Sequence, residues 1–188
     1  MIIYKEIAKL NKTFPLMNEE KILLGTDGSV TNILEILFEG ECKVETINQK
    51  IVDNTNYREV VLKVNDLPLV YAISKTPFKN IEEENLREEI KRDLLSADIP
   101  IGKIIRKHNL ETRREIKFIG IAEIDDYLKS ILKTNYSRLP KRTYNIIYKN
   151  KTLMEITEIF AIRGKLVKNT YNIEIKRHCF HKEAMHPF

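Results

Sequence analysis

Glu158 and Arg58 are charged residues on strand rows that are otherwise apolar. Side chains alternate between the two faces of a β-strand. In Leu153-Met154-Glu155-Ile156-Thr157-Glu158-Ile159-Phe160, one face carries Met154, Ile156, Glu158 and Phe160, and the other carries Glu155 and Thr157. In Tyr57-Arg58-Glu59-Val60-Val61-Leu62-Lys63-Val64, one face carries Arg58, Val60, Leu62 and Val64. A carboxylate on a core-facing row is costly to bury ionised, so it must be paired, protonated or lining a cavity. An inward Arg and an inward Glu from distant parts of the chain have two physical readings. One is a closed pocket for a small carboxylate ligand, anchored by the guanidinium. The other is a structural ion pair buried between them.

Other chemistry is sparse. The sequence has no Gly-rich phosphate loop, no His or Cys pair at metal spacing in its body, and no nucleophile elbow. The soft ligands His178, Cys179, His181 and His186 gather just before Pro187-Phe188. A metal there lacks a rigid frame to bring its ligands together, so no metal site is expected and 178–188 reads as a flexible tail.

Elements able to position Arg58 and Glu158 follow from periodicity. Ile3, Ile7 and Leu10 form a short helical stripe, and Met17, Ile22 and Leu23 a second. The turn Gly25-Thr26-Asp27-Gly28-Ser29-Val30-Thr31 opens into the helical run Ile33, Leu34, Leu37, Phe38, with Ser29 or Asp27 as N-cap. The backbone N–H groups of Val30 and Thr31 then point out of a helix start, which favours anions; the plainer reading is a capped helix alone. Extended runs Cys42–Val52, Tyr57–Val64 and Leu69–Thr76 are separated by Asp53-Asn54-Thr55-Asn56 and Asn65-Asp66-Leu67-Pro68, which predicts an antiparallel meander.

Ile81–Leu95 reads as an amphipathic helix with Glu82-Glu83-Glu84 on a solvated start. Asp98-Ile99-Pro100-Ile101-Gly102 opens another. A strand is expected over Glu115–Glu123, a peripheral helix over Asp125–Leu132, and a hairpin of Arg142–Lys149 with Leu153–Ile162. Leu166–Arg177 would add an edge strand. The fold class is α+β: a single antiparallel sheet of about six strands with helices packed on one face, in one domain over 1–188.

The bulk composition is that of a soluble globular protein with a heavily charged surface. The 188 residues are 43% hydrophobic and 31% charged, with net charge +5. The positive charge is scattered rather than gathered in a stripe, which argues against nucleic acid and suits an anionic small molecule. No apolar run approaches about 18 residues, and no signal pattern opens the chain, so no membrane contact and a cytoplasmic location are expected. Cys42 and Cys179 share no motif spacing and read as free thiols.

The order of these pieces resembles the chorismate lyase family, including its archaeal branch. The pieces that carry the resemblance are Asp27-Gly28-Ser29-Val30-Thr31, Tyr57-Arg58-Glu59, Pro100-Ile101-Gly102 and Thr157-Glu158-Ile159-Phe160. Leu110-Glu111-Thr112-Arg113 and Lys141-Arg142, followed by Tyr144, are similar to further family segments. The resemblance implies an enzyme that removes pyruvate from chorismate to leave 4-hydroxybenzoate, without metal or organic cofactor. It implies that Arg58 holds the ring carboxylate and Glu158 meets the ring 4-oxygen. Main-chain groups at Val30 and Ile101, with Thr31 beside them, would close the pocket.

Two positions depart from the bacterial members. Val30 stands where Met is usual, and Ile73 stands where a second Arg is expected on the third strand. Lys75, Arg113 and Arg142 are the candidates to supply that charge. The same fold resemblance extends to effector-binding domains of bacterial transcription regulators, which bind small acids or sugars without catalysis. The residues before about position 23 are too few for the DNA-binding domain those usually follow.

Overall fold

The computed structural model describes residues 1–96 and 99–166, and among these six strands pair antiparallel in one sheet. They are β1 (Cys42–Val52), β2 (Thr55–Val64), β3 (Leu67–Pro77), β4 (Thr112–Glu123), β5 (Arg138–Tyr148) and β6 (Lys151–Phe160), in the order β1-β2-β3-β6-β5-β4. Three hairpins turn through Asp53-Asn54, Asn65-Asp66 and Lys149-Asn150, and all six of these residues have positive φ. Two-residue turns of this hand match the strand twist, and Asn and Asp tolerate the left-handed region better than most. The first two connections are therefore shorter than the four residues expected: Thr55, Leu67 and Pro68 already pair in the ladder. β5 also begins earlier than Arg142, with Pro140 inside it opposite Ile121.

Five helices cover the inner face of the sheet in two groups. α1 (Ile3–Thr13), α2 (Asn18–Gly25) and α3 (Val30–Phe38) form the first. Leu23, Leu24 and Leu34 bury themselves there against Leu62, Val64 and Phe160. α4 (Glu84–Ser96) and α5 (Ile101–Lys107) form the second, where Ile90, Leu94 and Ile104 pack on Ile146, Met154 and Ile156. α6 (Asp126–Leu132) is the helix expected at the periphery, and it lies on the opposite face. The cause is the outward row, where apolar Val61, Tyr71 and Ile159 require cover and Leu132 provides it.

The second group is clasped by charge. Asp93 of α4 accepts hydrogen bonds from Lys107 Nζ at 2.7 and 2.8 Å and shares one with His108 Nε2 at 2.8 Å. Glu89 approaches the other ring nitrogen of His108 at 3.3 Å. The hydrogen bond from Lys107 holds the Asp93 carboxyl below its usual range; burial opposes the shift and His108 adds to it. No helix among the described residues is long and apolar enough to cross a membrane. The edge strand expected over 166–177, Leu166 apart, lies outside the described residues. So does the tail 178–188 with its His and Cys group.

Candidate active site

A cavity opens at the seam between the two helical groups, with about 610 Å³ of empty space, part of it continuous with solvent. Its floor is the inner face of the sheet, where Val60, Leu62, Ala72, Ile146 and Ile156 give an apolar surface. Its roof is made by two helix starts. Ser29 caps α3 by accepting from Asn32 N at 3.3 Å, and Pro100 precedes α5. The two starts adjoin: a Cβ built on Gly102 would lie 3.9 Å from Ser29 Oγ. Arg58, Glu158, Val30, Thr31 and Ile101 all line this one cavity.

Arg58 is 2% exposed. Its Nε and Nη2 donate to Thr46 Oγ1 at 3.3 and 3.0 Å, and Nη1 donates to the Ile99 carbonyl at 3.2 Å. The planar group is thus held between strand β1 and the segment entering α5.

Glu158 does not pair with Arg58, so the ion pair weighed from the strand rows is corrected. Its partner is Arg142, the residue directly across on β5. Arg142 Nε donates to Glu158 Oε2 at 2.7 Å, and the Tyr144 hydroxyl donates to Oε1 at 3.1 Å. Both carboxylate oxygens therefore act as acceptors, one of them to a charged donor. Arg142 is wholly buried. Its Nη1 donates to the Thr26 carbonyl at 2.6 Å, and its guanidinium lies 4.7 Å from the Tyr144 ring centroid. Arg142 Nη2 has no hydrogen-bond partner among the described residues. Burial, and then the adjacent Glu158 carboxylate, push the Tyr144 phenol above its ordinary pKa, so it remains a donor through the physiological range. Cys42 offers no nucleophile: burial pushes its thiol up to about 12.

The candidates for a second cation sort by strand face. Lys75 is exposed and lies over the Tyr57 ring, 5.8 Å from its centroid. Arg113 is exposed and pairs with Glu115 at 2.8 Å. Arg142 is inward but committed to Glu158. Ile73 is 41% exposed, while Ala72 and Ser74 on either side of it line the cavity. The identity of residue 73 therefore has no bearing on the cavity.

The residue that does line it is Arg114, which sequence reading passed over for its neighbour. Arg142 was legible by the signal that found Arg58, because Arg142, Tyr144 and Ile146 form an inward row with one cation. Arg114 carried a weaker signal. A register shift between Ile116 and Phe118 breaks the alternation of β4, and the strand starts at Thr112 rather than Glu115.

A 92% identical relative, over 93% of this chain and 95% of the other, is the Methanocaldococcus jannaschii protein named "Putative lyase MJ0807". A Mycobacterium leprae chorismate pyruvate-lyase is 25% identical over 83% of this chain and 77% of its own length. Among solved structures, the effector domain of PhnF from Mycobacterium smegmatis is similar in fold. It has a TM-score of 0.50 and 14% identity, over 71% of this chain and 88% of that one. The family model described as "Chorismate pyruvate-lyase Rv2949c-like" matches residues 24–168, a span holding both helix starts, Arg58 and the Glu158–Arg142 pair. The chain belongs to the Rv2949c-like chorismate pyruvate-lyase family.

Proposed function

We propose that this cavity binds chorismate and eliminates pyruvate from it to leave 4-hydroxybenzoate. The observation that carries the reading is Arg58 and Glu158 on one apolar cavity wall. They stand two strands apart and two residues along the ladder, because Arg58 pairs with Ser74 and Glu158 with Ala72. That register separates their backbones by about 12 Å. Allowing for the two side chains, the remaining gap suits one ring substituted at opposite ends by a carboxylate and an oxygen.

In this reading Arg58 takes the ring carboxylate bidentately, and Glu158 accepts the hydrogen bond of the 4-hydroxyl. The ether C3–O bond breaks, the proton on C4 leaves, and its electron pair completes the aromatic ring. The departing enolpyruvate gains a proton at its methylene carbon and becomes pyruvate. Aromatisation makes the step strongly downhill, so the protein must mainly orient the diene, balance charge on the leaving group and exclude water. Glu158, paired with Arg142 and aimed by Tyr144, is the carboxylate at the reacting edge. The main chain at Val30 and Ile101, with Thr31, closes the cavity over the ring. No metal or organic cofactor enters this chemistry.

The test is incubation of the purified protein with chorismate, following 4-hydroxybenzoate and pyruvate. Equimolar release of both supports the reading. Binding of 4-hydroxybenzoate without turnover of chorismate refutes it and leaves a non-catalytic site for a small acid.

A further inference from the structure

We propose that Arg114 holds the second carboxylate of the ligand, the one on the ether-linked side chain, so that Arg58 and Arg114 together select a dicarboxylate over a monocarboxylate. This rests on the reading above and deepens it. Arg58 lies on β2 and Arg114 on β4, four strand spacings apart across the floor of one cavity. Those spacings separate the two backbones by about 19 Å, and both side chains line the cavity between them.

The roof draws each guanidinium inward at its own end. Arg58 donates to the Ile99 carbonyl ahead of α5, and Arg114 Nη1 donates to the Asp27 carbonyl ahead of α3 at 3.0 Å. What marks Arg114 as built for a ligand is its remaining chemistry. Its Nε is buried without a hydrogen-bond partner among the described residues, although the group carries a full positive charge. A buried charged donor in that condition is unfavourable until an acceptor reaches it, and a carboxylate is the acceptor that matches a guanidinium edge. Among the described residues no other cation fits the role. Lys75 and Arg113 are exposed, and Arg142, whose Nη2 is also unpartnered among the described residues, is tied to Glu158 and does not line the cavity.

The experiment is calorimetry with two probes, 4-hydroxybenzoate and 3-(carboxymethoxy)-4-hydroxybenzoate, the second a stable ring with an ether-linked carboxylate at C3 that cannot eliminate. Wild-type protein is expected to bind the dicarboxylate at least tenfold more tightly, about 1.4 kcal/mol. In Arg114→Met that preference falls to within about twofold while the Kd for 4-hydroxybenzoate is unchanged. Arg114→Lys restores part of the preference and guards against a folding defect in the Met variant. KM for chorismate should rise in Arg114→Met in parallel with the lost preference. An unchanged preference in Arg114→Met overturns the proposal, and so does equal weakening of both probes. If wild-type protein binds neither probe and does not convert chorismate, the proposed function itself fails, an outcome distinct from loss confined to Arg114.

Discussion

Glu158→Gln removes the counter-charge of a guanidinium that has no solvent to turn to. Arg142 is fully buried and the Glu158 side chain is 5% exposed. Arg142 Nε–H and the Tyr144 hydroxyl both donate to Glu158, and the carboxylate meets them with two acceptor oxygens. An amide has one acceptor oxygen and one NH₂ donor. Facing Arg142 with its oxygen, it sets NH₂ against the phenol; turned over, it sets NH₂ against Nε–H. Removing one member of a buried pair costs about 3–5 kcal/mol. At roughly 2–4 °C per kcal/mol for a chain of this size, the Tm of the ligand-free variant should fall by about 6–20 °C.

Turnover should vanish as well, so the single variant alone cannot separate a catalytic role from a structural one. Arg142→Met with Glu158→Gln does so. The stranded charge is then gone, the phenol can donate to the amide oxygen, and an apolar side chain fills a position already flanked by Tyr144 and Phe160. The double variant should regain at least half of the lost stability, a non-additivity that a double-mutant cycle reads directly. It should regain no pyruvate release. A Glu158→Gln variant melting within about 1 °C of wild type would refute the weight given to the ion pair. A double variant with near wild-type turnover would remove Glu158 from the mechanism.

Arg58→Ala should weaken 4-hydroxybenzoate binding by roughly 2–5 kcal/mol, at least about thirtyfold in Kd by calorimetry, and unchanged affinity would place the ring carboxylate elsewhere. Asp93 has its folded pKa depressed below the ordinary 3.8, so the stability it contributes is present above that value and lost as pH falls through the folded value. The gap in Tm between wild type and Asp93→Asn should therefore be full near neutrality and close in acid; a gap that persists after Asp93 has been protonated would show that the clasp to Lys107 and His108 is not electrostatic. Leu34, with no exposed surface, should cost about 2–5 kcal/mol when cut to Ala, read by urea unfolding, and a loss well below that would mean α3 does not pack on the sheet as described.

The sheet was legible because its inner rows are clean. The alternation of Val60, Leu62 and Val64, and of Met154, Ile156 and Phe160, identifies both the strands and the face that helices must cover. The anomalies on those rows, Arg58 and Glu158, line the cavity. What the pattern does not carry is pairing across the sheet. Glu158 meets Arg142 because β5 and β6 run antiparallel through the turn Lys149-Asn150, a matter of register rather than of either strand's own sequence. Distant Arg58 could be weighed as a partner only while that register was open. Arg114 was hidden for a related reason: the irregularity near Lys117 shifts the parity of β4, so counting back from Glu115–Glu123 assigns its neighbours to the wrong face. Ile73 misled in the opposite sense, since a position matched along the chain was taken as one facing the cavity.

The fold alone does not separate catalysis from binding, because a sheet of this kind also serves as an effector domain in PhnF. The difference has to be sought in what a binding site would avoid. A pocket that only held an anionic ligand would gain from Arg58, Arg114 and an apolar floor, and would lose from a carboxylate on the same wall, which repels the ligand. Glu158 is tolerated because Arg142 neutralises it and Tyr144 occupies its other oxygen, at the cost of burying a second ion. In the ground state such an arrangement gains little beyond one hydrogen bond from a ligand hydroxyl. It gains where a proton must leave C4 or a hydroxyl must be oriented as the ring becomes aromatic, which is an advantage realised in the transition state. Under the proposed function Arg58 and Arg114 would hold the two carboxylates, and the Glu158–Arg142–Tyr144 group is the part that elimination, rather than binding, would use.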